Sequence, residues 1–123
     1  MHYSFLNEFV LLYPKAIEDK VIQIIERRTG QRYGIDYTNR SFLSEIMQTV
    51  DFLDILSKIS KNYNIRTNFP KKIYALSQSL DKVTFEQFIY LIKEFIKYYT
   101  INEKSSNDYG IVDGKINKTI STL

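Results

Sequence analysis

The feature that most constrains this chain is the recurrence of apolar residues at helical spacing. From Thr84 to about Tyr99 they form a broad stripe, and Thr84 is a typical N-cap residue. A second periodic stretch runs from Ala16 to Gly30, where the glycine is a natural helix terminator. A third runs from Thr49 to Lys61. Three such stretches predict an all-α fold.

We expect about four helices in a bundle, with a long ordered loop between the first two main ones. Residues 16–100 form the helical domain in this prediction. Residues 1–15 are an N-terminal extension with a short helix, and residues 101–123 are a polar tail, either disordered or adding a small edge piece. A further short helix begins at Phe69-Pro70. The predicted core consists of apolar residues from these elements: Ile17, Val21, Ile24, Ile25, Phe42, Val50, Leu53, Leu56, Ile59, Ile73, Leu76, Phe88, Ile89 and Ile92.

The composition excludes several kinds of chemical site. With no cysteine among its 123 residues, the chain has no disulfide, zinc-thiolate site or thiol nucleophile. Its single histidine, His2, predicts neither a metal site nor a histidine general base. No apolar run is long enough to span a bilayer, and the N-terminus lacks the basic start of a signal peptide. We therefore expect a non-enzymatic, cytoplasmic protein with no membrane partner.

The charges fall in three blocks. Residues 20–40 carry five basic and two acidic side chains, and residues 58–82 carry six basic and one acidic. The segment between them has three acids, Glu45, Asp51 and Asp54, and no base. This pattern is typical either of a solvated surface or of a contact face for an acidic partner.

Four segments resemble, in order, an acyl or peptidyl carrier protein. They are IEDKVIQIIERRTG at 17–30, NRSFLSEI at 39–46, QTVDFLDI at 48–55 and VTFEQFIYLI at 83–92. In that family the first helix also ends at a glycine, a long loop follows, and the second helix begins with Asp-Ser-Leu. The resemblance extends from Ile17 to Ile92, about three-fifths of the chain.

The resemblance implies particular roles for residues of the second helix. Thr49 occupies the place of the serine that carries 4'-phosphopantetheine in the family, and Gln48 that of the preceding aspartate. Asp51 and Asp54 take the places of acidic residues presented to partner enzymes. Threonine has the required hydroxyl, with a β-methyl that hinders attack, and the sequence pI is near 9.0 where the family is acidic. The implied function is an atypical acyl carrier, or a degenerate relative that docks on a protein partner such as a biosynthetic enzyme.

Two other functions compete with this interpretation. The segment Leu56–Leu76 has spacings similar to a helix-turn-helix, in which Arg66, Lys71 and Lys72 reach phosphates of a nucleic acid. Pro70 counts against it, because an inward apolar residue belongs there. A small inhibitor or immunity-type interaction protein is the third hypothesis, based on size and uneven charge.

Overall fold

The computed structural model describes the backbone of residues 14–109, with side chains as far as Asn102. Within that range the fold is all-α, as predicted, and the only β-type pairing consists of isolated bridges. The α-helices are α1 (Pro14–Thr29), α2 (Thr49–Asn62), α3 (Lys71–Tyr74) and α4 (Phe85–Tyr109). Short 3₁₀ helices span Leu43–Glu45, Ala75–Gln78 and Leu80–Lys82. The short helix predicted near the N-terminus and His2 lie outside the described residues.

The helix ends follow local sequence signals. Gly30 ends α1 with a φ of +78°, a conformation that glycine adopts without a Cβ penalty, and its N–H donates to the Glu26 carbonyl at 2.8 Å. Thr84 caps α4 reciprocally with Gln87: the Gln87 N–H donates to Thr84 Oγ1 at 3.2 Å, and the Thr84 N–H donates to Gln87 Oε1 at 2.9 Å. These two predicted boundaries are confirmed.

The inner side of α2 is the centre of the core, and it differs from the predicted one. Phe52, Ile55, Leu56 and Ile59 are buried, and the Phe52 ring lies 5.4 Å from that of Phe88 on α4. The prediction was wrong at Val50 and Leu53, which are 61% and 45% exposed. Residues three apart drift around a helix by about 60° per step, so a stripe built on Val50, Leu53, Leu56 and Ile59 winds about halfway around it.

The loop between α1 and α2 is held against the start of α4. Leu43 is buried, and its N–H donates to the Val83 carbonyl, while the Phe85 N–H donates to the Ser41 carbonyl, both at 2.8 Å. Tyr37 is also buried, with its ring 5.2 Å from that of Phe85. The expectation that Phe42 enters the core was wrong: it is 41% exposed, because Leu43 takes the inward position.

The rest of the predicted core is largely confirmed. Leu76 is partly buried, and the other predicted residues outside the three corrected positions are buried. Helix α4 reaches Tyr109, so residues 101–109 of the expected polar tail are helical. The first glycine beyond Tyr99 is Gly110, and no proline intervenes, so no helix-breaking residue ends the helix before Tyr109.

Candidate functional site

Thr49 is the first residue of α2, and its side chain is exposed. Its hydroxyl donates a long hydrogen bond of 3.4 Å to the Ser77 carbonyl, in the 3₁₀ helix that follows α3. The first turn of a helix leaves backbone N–H groups unpaired and carries a partial positive charge. The structure thus puts a water-accessible hydroxyl at the electropositive end of α2.

Asp51 and Asp54 face α1, and both are paired within the protein. Arg28 donates from Nε to Asp51 Oδ1 at 2.8 Å, and its Nη1 lies 3.5 Å from Asp54 Oδ2. Lys58 Nζ is 2.6 Å from the same Asp54 oxygen. Arg28, Asp51, Asp54 and Lys58, here called the ion-pair cluster, therefore have a formal charge that sums to zero.

The cluster also changes the acidity of its two carboxyl groups. The backbone N–H of Gln48 donates to Asp51 Oδ2 at 2.9 Å, and this bond, followed by Arg28, lowers the pKa of Asp51. The pKa of Asp54 is lowered chiefly by the hydrogen bond from Lys58, with Arg28 adding to it. Both groups remain charged at neutral pH, with their charge directed at neighbouring bases of the same molecule.

Exposed apolar side chains lie beside Thr49. Val50 and Leu53 are the exposed large hydrophobic residues of α2, and we call them the α2 patch. Single exposed apolar residues are ordinary on a protein surface. Here two of them share the exposed side of a helix whose opposite side is fixed in the core, so they form a rigid contact surface next to the hydroxyl.

A positively charged cleft lies between α1 and α2. Its volume is about 270 Å³, and we call it the α1–α2 cleft; its lining consists of Ile24, Arg27, Arg28, Lys58, Lys61 and Asn62. Arg28 and Lys58 belong to the ion-pair cluster, whereas Arg27 and Lys61 make no ion pair with a carboxylate among residues 14–102. The cleft therefore has two cations beyond ion-pair distance of the carboxylates in this part of the chain, and Lys61 acts on Asp54 only as a more distant charge.

The three residues of the nucleic-acid hypothesis are all exposed. Arg66 lies in the loop after α2, where its N–H donates to the Tyr99 hydroxyl at 3.0 Å. Lys71 and Lys72 begin α3, a helix of four residues that continues as the 3₁₀ helix Ala75–Gln78. This segment is shorter than a typical recognition helix. The three cations are therefore accessible, but they do not lie on a helix long enough to insert into a groove of DNA.

Two open grooves flank α4. One, of about 510 Å³, is lined by Leu76, Val83, Glu86, Gln87, Tyr90 and Leu91. The other, of about 530 Å³, shares Tyr90 and Leu91 and extends to Pro70, Lys72 and Tyr98. Each has a single lining carboxylate, Glu86 in the first and Glu94 in the second. Their apolar walls and isolated acids suit contact better than acid–base chemistry.

The sequence interpretation missed Arg28, Val50 and Leu53 as members of the site. Arg28 lies in the last turn of α1, where a cation complements the helix dipole, but its partners on α2 are set by tertiary packing. The sequence nevertheless contains a signal for the α2 patch. Four apolar residues of α2 occupy a much narrower arc of the helix than the stripe that begins at Val50, and a narrow arc is typical of a core-facing side: Phe52, Ile55, Leu56 and Ile59.

No family model, no curated protein and no solved structure matches this chain. The carrier-protein resemblance therefore depends on the residues themselves. Over the described residues, no group of three or more histidine, aspartate or glutamate side chains is placed to hold a metal ion. None of the described helices is long and apolar enough to cross a membrane.

Proposed function

We propose that this chain is a non-enzymatic docking module of the carrier-protein type, which meets its protein partner at the start of α2. The observation that carries the proposal is the exposure of Thr49, Val50 and Leu53 together on a helix whose other side is buried. Because this backbone is already fixed, binding of a partner costs less conformational entropy. The module is either an atypical acyl carrier, modified on Thr49, or a degenerate relative that only docks.

In the acyl-carrier form, Thr49 accepts a phosphopantetheine arm from coenzyme A. Its Oγ1 attacks the phosphorus that bears the pantetheine, a new O–P bond forms, and the phosphoanhydride bond to the adenosine bisphosphate portion breaks. The hydroxyl proton passes to a base of the modifying transferase. Thr49 is suited to this step by its exposure and by the first-turn N–H groups of α2, which favour a developing negative charge nearby.

Mass spectrometry tests the acyl-carrier form. The protein is incubated with coenzyme A and a broad-specificity phosphopantetheinyl transferase, and a gain of one arm is expected. Thr49→Ala should abolish the gain, and Thr49→Ser should accelerate it by removing the β-methyl group. Ser44→Ala should leave the gain unchanged; Ser44, an exposed hydroxyl residue before the same helix, is the position that a relaxed alignment with the family offers instead, although the residues after it fit worse. No gain in any variant rules out this form and leaves the docking form.

Site-specific photo-crosslinking tests the docking form. A photo-reactive residue at Leu53 is compared with one at Ile35, which is 68% exposed on the loop after α1. We expect a defined partner to be captured from Leu53 alone, and the purified pair to lose affinity when Leu53→Asp is introduced. Equal capture at both positions, or an affinity that the substitution leaves unchanged, contradicts docking at the α2 patch.

The second candidate function is nucleic-acid binding through Arg66, Lys71 and Lys72. The observation that favours it is that all three are exposed and make no ion pair with a carboxylate of residues 14–102. Titration with a DNA duplex at low and high salt tests it, with replacement of all three by glutamine as the variant. Binding that is absent at low salt discards this function, because phosphate neutralisation must be visible there.

A further inference from the structure

The acidic residues of α2 are not available to attract a basic partner. In the ion-pair cluster, Asp51 and Asp54 lie within 2.6 to 3.5 Å of cationic nitrogens on Arg28 and Lys58. A partner lysine would have to replace these contacts. The negative charge expected at this face from the sequence is thus cancelled within the folded protein.

Next to the ion-pair cluster, the surface formed by α1 and α2 is positively charged. Arg27 and Lys61 border the α1–α2 cleft, and neither forms an ion pair with a described carboxylate, while Lys61 adds a longer-range attraction to Asp54. Cations in the last turns of α1 and α2 also complement the helix dipoles, which accounts for a stabilising effect. That effect does not neutralise them toward solvent, so they remain able to attract an approaching anion.

Helix geometry joins the cleft to the α2 patch. Val50, Ser57 and Lys61 lie along one outer row of α2, since residues seven and eleven apart return to nearly the same side of a helix. With a rise of about 1.5 Å per residue, the row extends about 16 Å from Val50 to Lys61. Its beginning is apolar and its end is basic, and Arg27 adds charge from the neighbouring helix.

From this arrangement we infer that the partner surface docked on α2 is an acidic amphipathic segment. It places apolar side chains against Val50 and Leu53 and carboxylates toward Arg27 and Lys61. The inference rests on the proposed docking function, and it reverses the sign of the partner that the sequence resemblance implies. Electrostatic complementarity of this kind acts mainly on partner selection and association rate.

Two labelled synthetic peptides test the inference with the full-length protein. Both are amphipathic helices of about twelve residues, long enough to cover the row, with the same leucine stripe. The polar positions are glutamate in one peptide and lysine in the other. Fluorescence anisotropy gives their dissociation constants at low and high salt. We expect the glutamate peptide to bind about tenfold more tightly at low salt, and the preference to shrink at high salt.

Charge-reversal variants identify the residues that cause the preference for the glutamate peptide. Arg27→Glu combined with Lys61→Glu should abolish or invert it. Arg40→Glu combined with Lys82→Glu changes the net charge equally at exposed positions outside the cleft, and should preserve most of it. Equal loss in both double variants overturns the inference, because the attraction would then be diffuse.

Other outcomes separate the inference from the proposed function. Equal affinity for the two peptides, or tighter binding of the lysine peptide, overturns the inference that the partner is acidic. The docking face survives that result if Leu53→Asp or Val50→Asp still weakens both peptides. If neither substitution changes binding, or if neither peptide binds, the docking face is wrong and the inference fails with it. Both substitutions are at exposed positions, and circular dichroism verifies that the variants fold.

Discussion

Replacing neighbouring residues of α2 with alanine tests which side of this helix faces the core. Phe52 is 0% exposed and contacts Phe88, whereas Leu53 is 45% exposed. A buried phenylalanine replaced by alanine costs about 3–5 kcal/mol, from lost transfer free energy and the cavity left behind. A half-exposed leucine has less to lose, about 1 kcal/mol. Phe52→Ala should therefore destabilise the protein by about 3 kcal/mol more than Leu53→Ala.

Urea unfolding followed by circular dichroism measures this difference. With a slope of about 1.5 kcal/mol per molar urea, a loss of 3 kcal/mol moves the midpoint down by about 2 M. That difference is between about a fifth and three-fifths of the 5–15 kcal/mol typical of a small domain, so the two midpoints should be clearly separated. The slopes of the variants should match the wild type, which verifies that the unfolded states are comparable.

The opposite ranking would refute the placement of α2. If the stripe that begins at Val50 were the buried one, Leu53→Ala would cost more than Phe52→Ala. Val50→Ala is the additional control, since Val50 is 61% exposed and its truncation should change the free energy of unfolding little. A large cost at either exposed position would also remove the α2 patch from the surface, and the proposed docking function with it.

Further predictions concern polar groups. Tyr37→Phe should raise the free energy of unfolding by about 1 kcal/mol, because the buried Tyr37 hydroxyl has no hydrogen-bond partner among the described residues. Tyr99→Phe should lower the free energy of unfolding by about 1 kcal/mol, because the Tyr99 hydroxyl would no longer accept the hydrogen bond from the Arg66 backbone N–H. Thermal melts that rank the Tyr37 and Tyr99 variants the other way would contradict both predictions. Because the folded-state pKa values of Asp51 and Asp54 are lowered, the stability they contribute is present above about pH 4 and is lost as pH falls through the lowered pKa values. Arg28→Ala should weaken this pH dependence, and an unchanged slope of unfolding free energy against pH would contradict the ion-pair assignment.

The positions of the main helices were predictable from the sequence because their signals are local. Hydrophobic period, the Gly30 terminator and the Thr84 cap each depend on residues within a few positions, and the structure places both helix ends there. The polar composition after Thr100 predicts a tail, and this prediction is wrong for residues 101–109, because α4 extends to Tyr109. Polar residues with ordinary helix propensity continue a helix that is already nucleated.

The side of α2 that enters the core was harder to predict. Periodicity alone offered two stripes sharing Leu56 and Ile59, one beginning at Val50 and one at Phe52. Packing selects the second, because the large Phe52 ring fits against α4 and its burial removes more apolar surface from water. A similar choice in the loop after α1 places Leu43 inside and Phe42 outside. Such choices depend on partner surfaces from distant segments.

The contacts of Arg28 show why the charge of a surface cannot be taken from its sequence alone. Asp51 is 23 residues away along the chain, so no local pattern links them. Once folded, Arg28 and Lys58 neutralise the two carboxylates in the first half of α2, which would otherwise favour a basic partner. The exposure of Thr49 does not depend on these pairs, because its side chain lies at the other edge of the first turn, beside Ser77. The two proposed properties, modification of Thr49 and selection of a partner by charge, are therefore physically separate, so a variant that removes the Thr49 hydroxyl should leave the charge preference unchanged.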